Sequence, residues 1–143
     1  MPILRFMGPF KWLSNFGPGE AAFEGVTYPT SEHAYQAAKT LDPDERRLVR
    51  EAKTPGKAKR LGQKVTMRED WDDVKVSVME AILLDKFTRS PELRMKLLAT
   101  GDEHLEEGNY WGDHFWGTDE KTRKGENNLG KVLMRVRETL NGQ

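Results

Sequence analysis

The stretch Asp70–Arg89, DWDDVKVSVMEAILLDKFTR, decides the fold. Trp71, Val74, Val78, Ile82 and Phe87 recur at spacings of three to five, and Met79 and Leu83 widen the stripe. That pattern predicts a long helix with one face buried in a bundle. Near the other end Leu129, Val132, Leu133, Val136 and Leu140 form a cleaner stripe, a second helix able to pack on the first. Three shorter helices announce themselves by a capping residue followed by proline at the first helical position. They begin at Asp42-Pro43 (with Glu45 placed for a capping box), Thr54-Pro55 and Ser90-Pro91. Another start, Thr30 or Ser31, opens a helix through about Lys39.

The first thirty residues read differently. Gly8, Pro9, Gly17, Pro18, Gly19, Gly25 and Pro29 break helices, and the aromatics Phe6, Phe10, Trp12, Phe16, Phe23 and Tyr28 favour a pleated surface. Short strands are expected near Leu4–Met7 and Ala22–Thr27, joined by a loop carrying Ser14-Asn15-Phe16. The glycine-rich residues 100–125 read as loop with one small hairpin. The expected fold is mainly α, a single domain over residues 1–143 with a minor β element at the front.

Composition bounds the function. The 143 residues carry 23 basic and 23 acidic side chains and no cysteine. Disulfides, thiolate metal sites and cysteine nucleophiles are excluded. Zero net charge argues against a protein whose main task is coating nucleic acid. No apolar run approaches a membrane span, and Met1–Phe6 lacks the features of a secretory signal, so a cytoplasmic location is expected.

Candidate chemistry gathers in a few places. On a helix Glu32, Gln36 and Lys39 share a stripe, with Ala34, Ala37 and Ala38 allowing close backbone approach. Such a segment suits a buried site wall, although an exposed charged stripe is the commoner use of the pattern. His33 alone reads as a hydrogen-bonded structural histidine. Lys53–Lys64 holds five cations and no acid. Its Lys57, Arg60 and Lys64 face is either a phosphate-binding patch or a solvated face. Trp71 sits between Asp70 and Asp72, and Trp111 and Trp116 flank Gly112–Phe115. These tryptophans can stack a flat ring or pin loops. A metal site from His104, His114, Asp102 and Asp113 lacks recognisable spacing. No phosphate loop or dinucleotide fingerprint is present, and no cofactor is expected.

Read together, several segments resemble one family. They are Trp12–Phe16, Tyr28–His33 continuing to Lys39, Ala58–Gly62, Asp70–Asp72, Val78-Met79 with Lys86-Phe87, Leu97–Asp102, Trp116-Gly117, and Gly125–Gly130 followed by Leu133-Met134 and Arg137. In this order they resemble the YbiA-like or NADAR (NAD- and ADP-ribose-associated) family along nearly the whole chain. The resemblance implies a mostly helical fold and an N-glycosidase that breaks a bond between ribose C1 and nitrogen. Its expected substrate is ADP-ribose attached to guanine, on DNA, RNA or a nucleotide. The alternatives are phosphoribosylamino pyrimidine intermediates of riboflavin synthesis, or a non-catalytic module binding NAD or ADP-ribose.

Carried over by position, the resemblance implies catalytic roles for Glu32, Lys39 and Asp113. Asn15, His33, Arg60, Trp71, Trp116 and Asn127 complete the expected substrate-binding set. A glycine-rich insert frequent after Trp116-Gly117 is replaced here by Thr118–Lys124. In chemical terms, C1–N cleavage builds positive charge on the sugar and needs a proton on the departing nitrogen. Two carboxylates can divide those tasks, and Glu32 with Asp113 is the expected pair. Alternatively, a largely neutral Lys39 can attack the opened ribose and form a Schiff base.

Overall fold

A computed structural model describes residues 1–143. After a 3-10 helix at Gly8–Leu13 come strands β1 (Ala21–Phe23) and β2 (Val26–Tyr28). Helices α1 (Ser31–Ala38), α2 (Pro43–Arg50), α3 (Pro55–Gly62), α4 (Trp71–Arg89) and α5 (Pro91–Ala99) follow. Strands β3 (Gly108–Asn109) and β4 (Thr118–Asp119) precede α6 (Asn128–Asn141). The architecture is mainly helical, as the apolar spacing predicts. No helix is long and apolar enough to cross a membrane.

The helix starts obey local chemistry. Asp42 accepts from the amides of Asp44 and Glu45, Thr54 from Lys57, Ser90 from Leu93 and Thr30 from His33, so each cap satisfies an otherwise orphaned donor. The capping box at Asp42 does not close. Glu45 instead accepts from the Thr40 hydroxyl at 2.8 Å and the Thr66 amide at 2.9 Å, tying α2 to the chain beyond α3. Asp70 makes no cap bond and binds Arg68 through both carboxylate oxygens.

The front of the chain departs from its reading. Leu4–Met7 is not a strand; Ile3 alone bridges Leu105. Gly8, at φ 56, and Pro9 then turn the backbone into the 3-10 helix. The expected strand Ala22–Thr27 is a tight hairpin. Phe23 pairs with Val26 across Glu24-Gly25, whose φ values of 49 and 82 give the two-residue turn that suits strand twist. Residues 100–125 hold no hairpin, because Gly108-Asn109 pairs with Thr118-Asp119 in parallel.

One cluster of 25 buried apolar residues forms the core. Helix α4 lies against α6, β1, α1 and α5. Every residue of α1 is buried, Glu32, His33 and Gln36 included. Ala34, Ala37 and Ala38 are fully enclosed and let α2, α3 and α4 close around α1. Gly62 completes this approach, since a Cβ there would overlap the Gln36 side chain.

Candidate active site

A cavity of about 910 Å³ opens beside α1. Met79 of α4 and Leu129 of α6 line it, and four other parts of the chain supply its polar and aromatic wall. Helix α1 supplies Glu32, Tyr35 and Gln36, with Lys39 at its C-terminal cap; α3 supplies Lys59; the front segment supplies Lys11, Asn15 and Phe16; and the loop after α5 supplies Glu107, Trp111, Asp113 and Trp116. The expected catalytic set Glu32, Lys39 and Asp113 thus converges on one space, joined by Asn15 and Trp116.

Glu32 is 6% exposed. Its Oε2 accepts from Gln36 Nε2 at 2.6 Å, the i,i+4 geometry of the stripe. Burial pushes its carboxyl above the ordinary range and Asp113 adds to the rise, while the Gln36 bond and the charges of Lys59 and Lys39 oppose it. Lys39 is driven the other way, its pKa lowered first by burial, with Lys59 adding and Glu32 opposing. Its ammonium stands 5.6 Å from the centre of the Tyr35 ring.

Glu107 carries no local mark in the sequence, yet it faces the same cavity. Burial, with the nearby charge of Asp113, raises its pKa to about 7. Its position is built by residues behind the wall. Asn127, left-handed at φ 51, accepts the Glu107 amide at 3.0 Å and donates to the Leu105 carbonyl at 2.9 Å. Gly117 leaves room for the Glu107 carboxylate where a Cβ would collide with it. One residue earlier, Glu106 anchors the loop through two bonds from Arg123 and one each from Thr118 and His104. Those partners, Arg123 foremost, hold its carboxyl down at about 2.

Asp113 has a partly structural task. Its Oδ1 accepts from the amides of Phe115 and Trp116 at 3.2 and 2.9 Å, and its backbone is clasped on both sides by the Asn109 amide group. Trp116 donates from Nε1 to the Tyr35 hydroxyl at 3.1 Å. Asn15 receives the Glu32 amide on its carbonyl. Its side-chain Oδ1 is buried with no donor.

The remaining expected binders do not line the cavity. Both ring nitrogens of His33 are engaged, by Thr30 and by the Ala52 carbonyl, so it ties α1 to the end of α2. Trp71 is 4% exposed and packs 5.2 Å from Tyr35, one layer behind the wall, where it backs a lining residue and has no face for a substrate ring. Asn127 acts through Glu107, as above. Arg60 points to solvent with Lys57 and Lys64; the turn of α3 that meets the cavity presents Lys59 instead. No three His, Asp or Glu residues gather to hold a metal ion.

Fold and site together define an enzyme-like helical domain whose cavity gathers three carboxylates, Glu32, Glu107 and Asp113, with three lysines, Lys11, Lys39 and Lys59. Comparison with known proteins sharpens that class. The NADAR domain model matches residues 5–141. N-glycosidase YbiA of Escherichia coli is 41% identical over 134 residues, spanning 90% of this chain and 80% of that protein. The riboflavin biosynthesis protein VVA0006 of Vibrio vulnificus is 40% identical over 131 residues, 90% of this chain but 35% of the larger protein. The NMR structure of E. coli YbiA superposes with a TM-score of 0.85 at 38% identity, covering 98% of this chain and 85% of that one. The chain belongs to the NADAR domain family. At this identity and coverage it shares the enzymatic class its relatives' names carry, N-glycosidase.

Proposed function

We propose that this cavity hydrolyses the bond between ribose C1 and a nitrogen of a heterocyclic base or its amino group. The observation that carries the reading is the convergence of buried Glu32, half-buried Glu107 and Lys39 in one cavity. As C1–N breaks, positive charge spreads over C1 and the ring oxygen, and a carboxylate facing C1 stabilises it. Glu32 takes that role. Glu107, with a pKa of about 7, keeps a protonated fraction near neutrality and donates to the departing nitrogen. Asp113 acts on both groups by raising their pKa values. Asn15 Oδ1 offers an acceptor to a ribose hydroxyl. Lys39 provides the competing route, a Schiff base at C1 of the opened sugar, which its burial favours.

For the substrate, the riboflavin name borne by two relatives favours a phosphoribosylamino pyrimidine. The second reading, ADP-ribose on guanine, is favoured by size: about 910 Å³ is near the upper end of ordinary ligand cavities. Incubation with each compound, followed by mass spectrometry, separates them by release of ribose 5-phosphate or ADP-ribose. On the accepted substrate, Glu32→Gln should fold and turn over at least about a hundredfold more slowly. Borohydride trapping of a covalent adduct, lost in Lys39→Ala, would assign the Schiff-base route. Near-normal turnover in Glu32→Gln would remove the carboxylate from the mechanism.

A further inference from the structure

Of the chain's lysines only Lys86 is buried. Only burial moves its pKa, so no carboxylate stands near enough to compensate its charge. A desolvated ammonium without a counter-ion costs folding free energy that an apolar side chain of similar length would not. Its partners are two backbone carbonyls. Nζ donates to Trp12 at 3.1 Å and to Ser14 at 3.2 Å, both in the front segment that walls the cavity.

The Ser14 carbonyl belongs to the peptide group that leads into Asn15, and it also accepts the Gly17 amide at 3.0 Å. The peptide group that leaves Asn15 is held as well. Its carbonyl accepts the Glu32 amide at 3.2 Å and the Ser31 hydroxyl at 3.5 Å. With a planar group fixed on each side, both soft dihedrals of Asn15 are set. On the side chain, Nδ2 donates to Met79 Sδ at 3.5 Å. Met79 and Lys86 stand seven residues apart on α4 and share a face, so one helix grips the front segment at two points. The group of Asn15 left over is Oδ1, buried with no donor in a residue that lines the cavity. A buried acceptor without a partner is costly, and a substrate hydroxyl supplies the missing donor.

We propose that Lys86 is a positioning residue for the reaction in the cavity: through the Trp12 and Ser14 carbonyls it fixes the backbone at Asn15 and so holds Asn15 Oδ1 ready for a substrate hydroxyl. The proposal rests on the N-glycosidase reading for what that substrate is. Lys86 touches no substrate itself, since it does not line the cavity. An ammonium suits the task because a charged donor holds a carbonyl more strongly than a neutral one. Its place on α4, whose inner face belongs to the core, gives the grip a rigid base.

The test is a double-mutant cycle in kcat/KM on the accepted ribosylamine, with melting temperature measured beside it near neutral pH. Asn15→Ala should lower kcat/KM by about tenfold, the loss of one uncharged hydrogen bond to substrate. Lys86→Met should lower it by a similar factor, with the same division between kcat and KM, while melting at or above the parent. The double variant should be no slower than Asn15→Ala, because Lys86 acts through that residue. Hydrogen exchange at the Glu32 amide, which donates to the Asn15 carbonyl, should be at least about tenfold faster in Lys86→Met. Parental kcat/KM in Lys86→Met overturns the proposal. So do losses that multiply in the double variant, or a loss that comes with a lowered melting temperature. If Lys86→Met does not fold, Lys86→Gln, a neutral donor in the same space, carries the same cycle; failure of both to fold makes the lysine purely structural and overturns the proposal. A parent that cleaves no ribosylamine refutes the N-glycosidase reading instead. Faster Glu32 exchange in Lys86→Met at an undiminished melting temperature then leaves the grip on Asn15 standing, and parental exchange removes it.

Discussion

Replacing Glu107 by Gln should make the protein more stable and less active at once, with the stability gain appearing only at higher pH. The Glu107 pKa rises from an ordinary 4.5 to about 7, chiefly through burial. Between those values the folded protein binds a proton that the unfolded chain has released. Stability therefore falls as pH rises through that window, and above it the folded state carries the full penalty of a buried carboxylate. At about 1.4 kcal/mol per pH unit the interval from 4.5 to about 7 corresponds to ~3.5 kcal/mol, an upper figure because Asp113 and Glu32 share in it. Gln keeps the shape and an oxygen to accept from Asn109, as Glu107 Oε2 does at 3.2 Å, but carries no charge to desolvate. Thermal unfolding of Glu107→Gln should match the parent at pH 4.5 and exceed it by roughly 5–10 °C at pH 8. Turnover at pH 7 should fall by about 10²–10⁴, as for loss of a general acid. An unfolding advantage that stays constant from pH 4.5 to 8, or one that reverses, would refute the burial argument. Normal turnover would refute the proton-donor role.

Other substitutions probe the framework. Lys86 is fully buried, donates to the Trp12 and Ser14 carbonyls at 3.1 and 3.2 Å, and has its pKa lowered by burial from 10.5 to about 8. The unfolded chain thus binds the extra proton between those values, so the parent should gain stability relative to Lys86→Met as pH rises from 8 to 10; parallel melting curves would contradict this. Trp71→Ala should cost about 3–5 kcal/mol in chemical unfolding, as for a buried aromatic, whereas a loss of activity at unchanged stability would put Trp71 back against the substrate. Gly62→Ala should cost about 1–3 kcal/mol and also depress activity, because the new methyl displaces Gln36 from Glu32; an unchanged melting temperature would show that α3 can move away freely.

Features that depend on neighbours a few residues apart are legible without the fold. The caps at Asp42, Thr54 and Ser90 are bonds to amides two or three positions on, so they are written where they act. The apolar stripe of α6 is buried as read, at Leu129, Val132, Leu133, Val136 and Leu140, because helix geometry turns spacing directly into a face. Beyond that range the tertiary structure decided. Trp71 between two aspartates looks like an exposed platform, but the helical turn carries Asp70 and Asp72 away while the indole enters the core. The charged stripe Glu32, Gln36 and Lys39 looks solvated until Ala34, Ala37, Ala38 and Gly62 bring three helices around it. The basic run of α3 does not say which cation meets the cavity; α3, held close to Gln36 at Gly62, presents Lys59 to it and not Arg60. Glu107 was illegible, since its elevated pKa arises from burial beneath a loop held by Asn127 and Gly117, and desolvation is a property of the enclosure, not of the residue or its sequence neighbours.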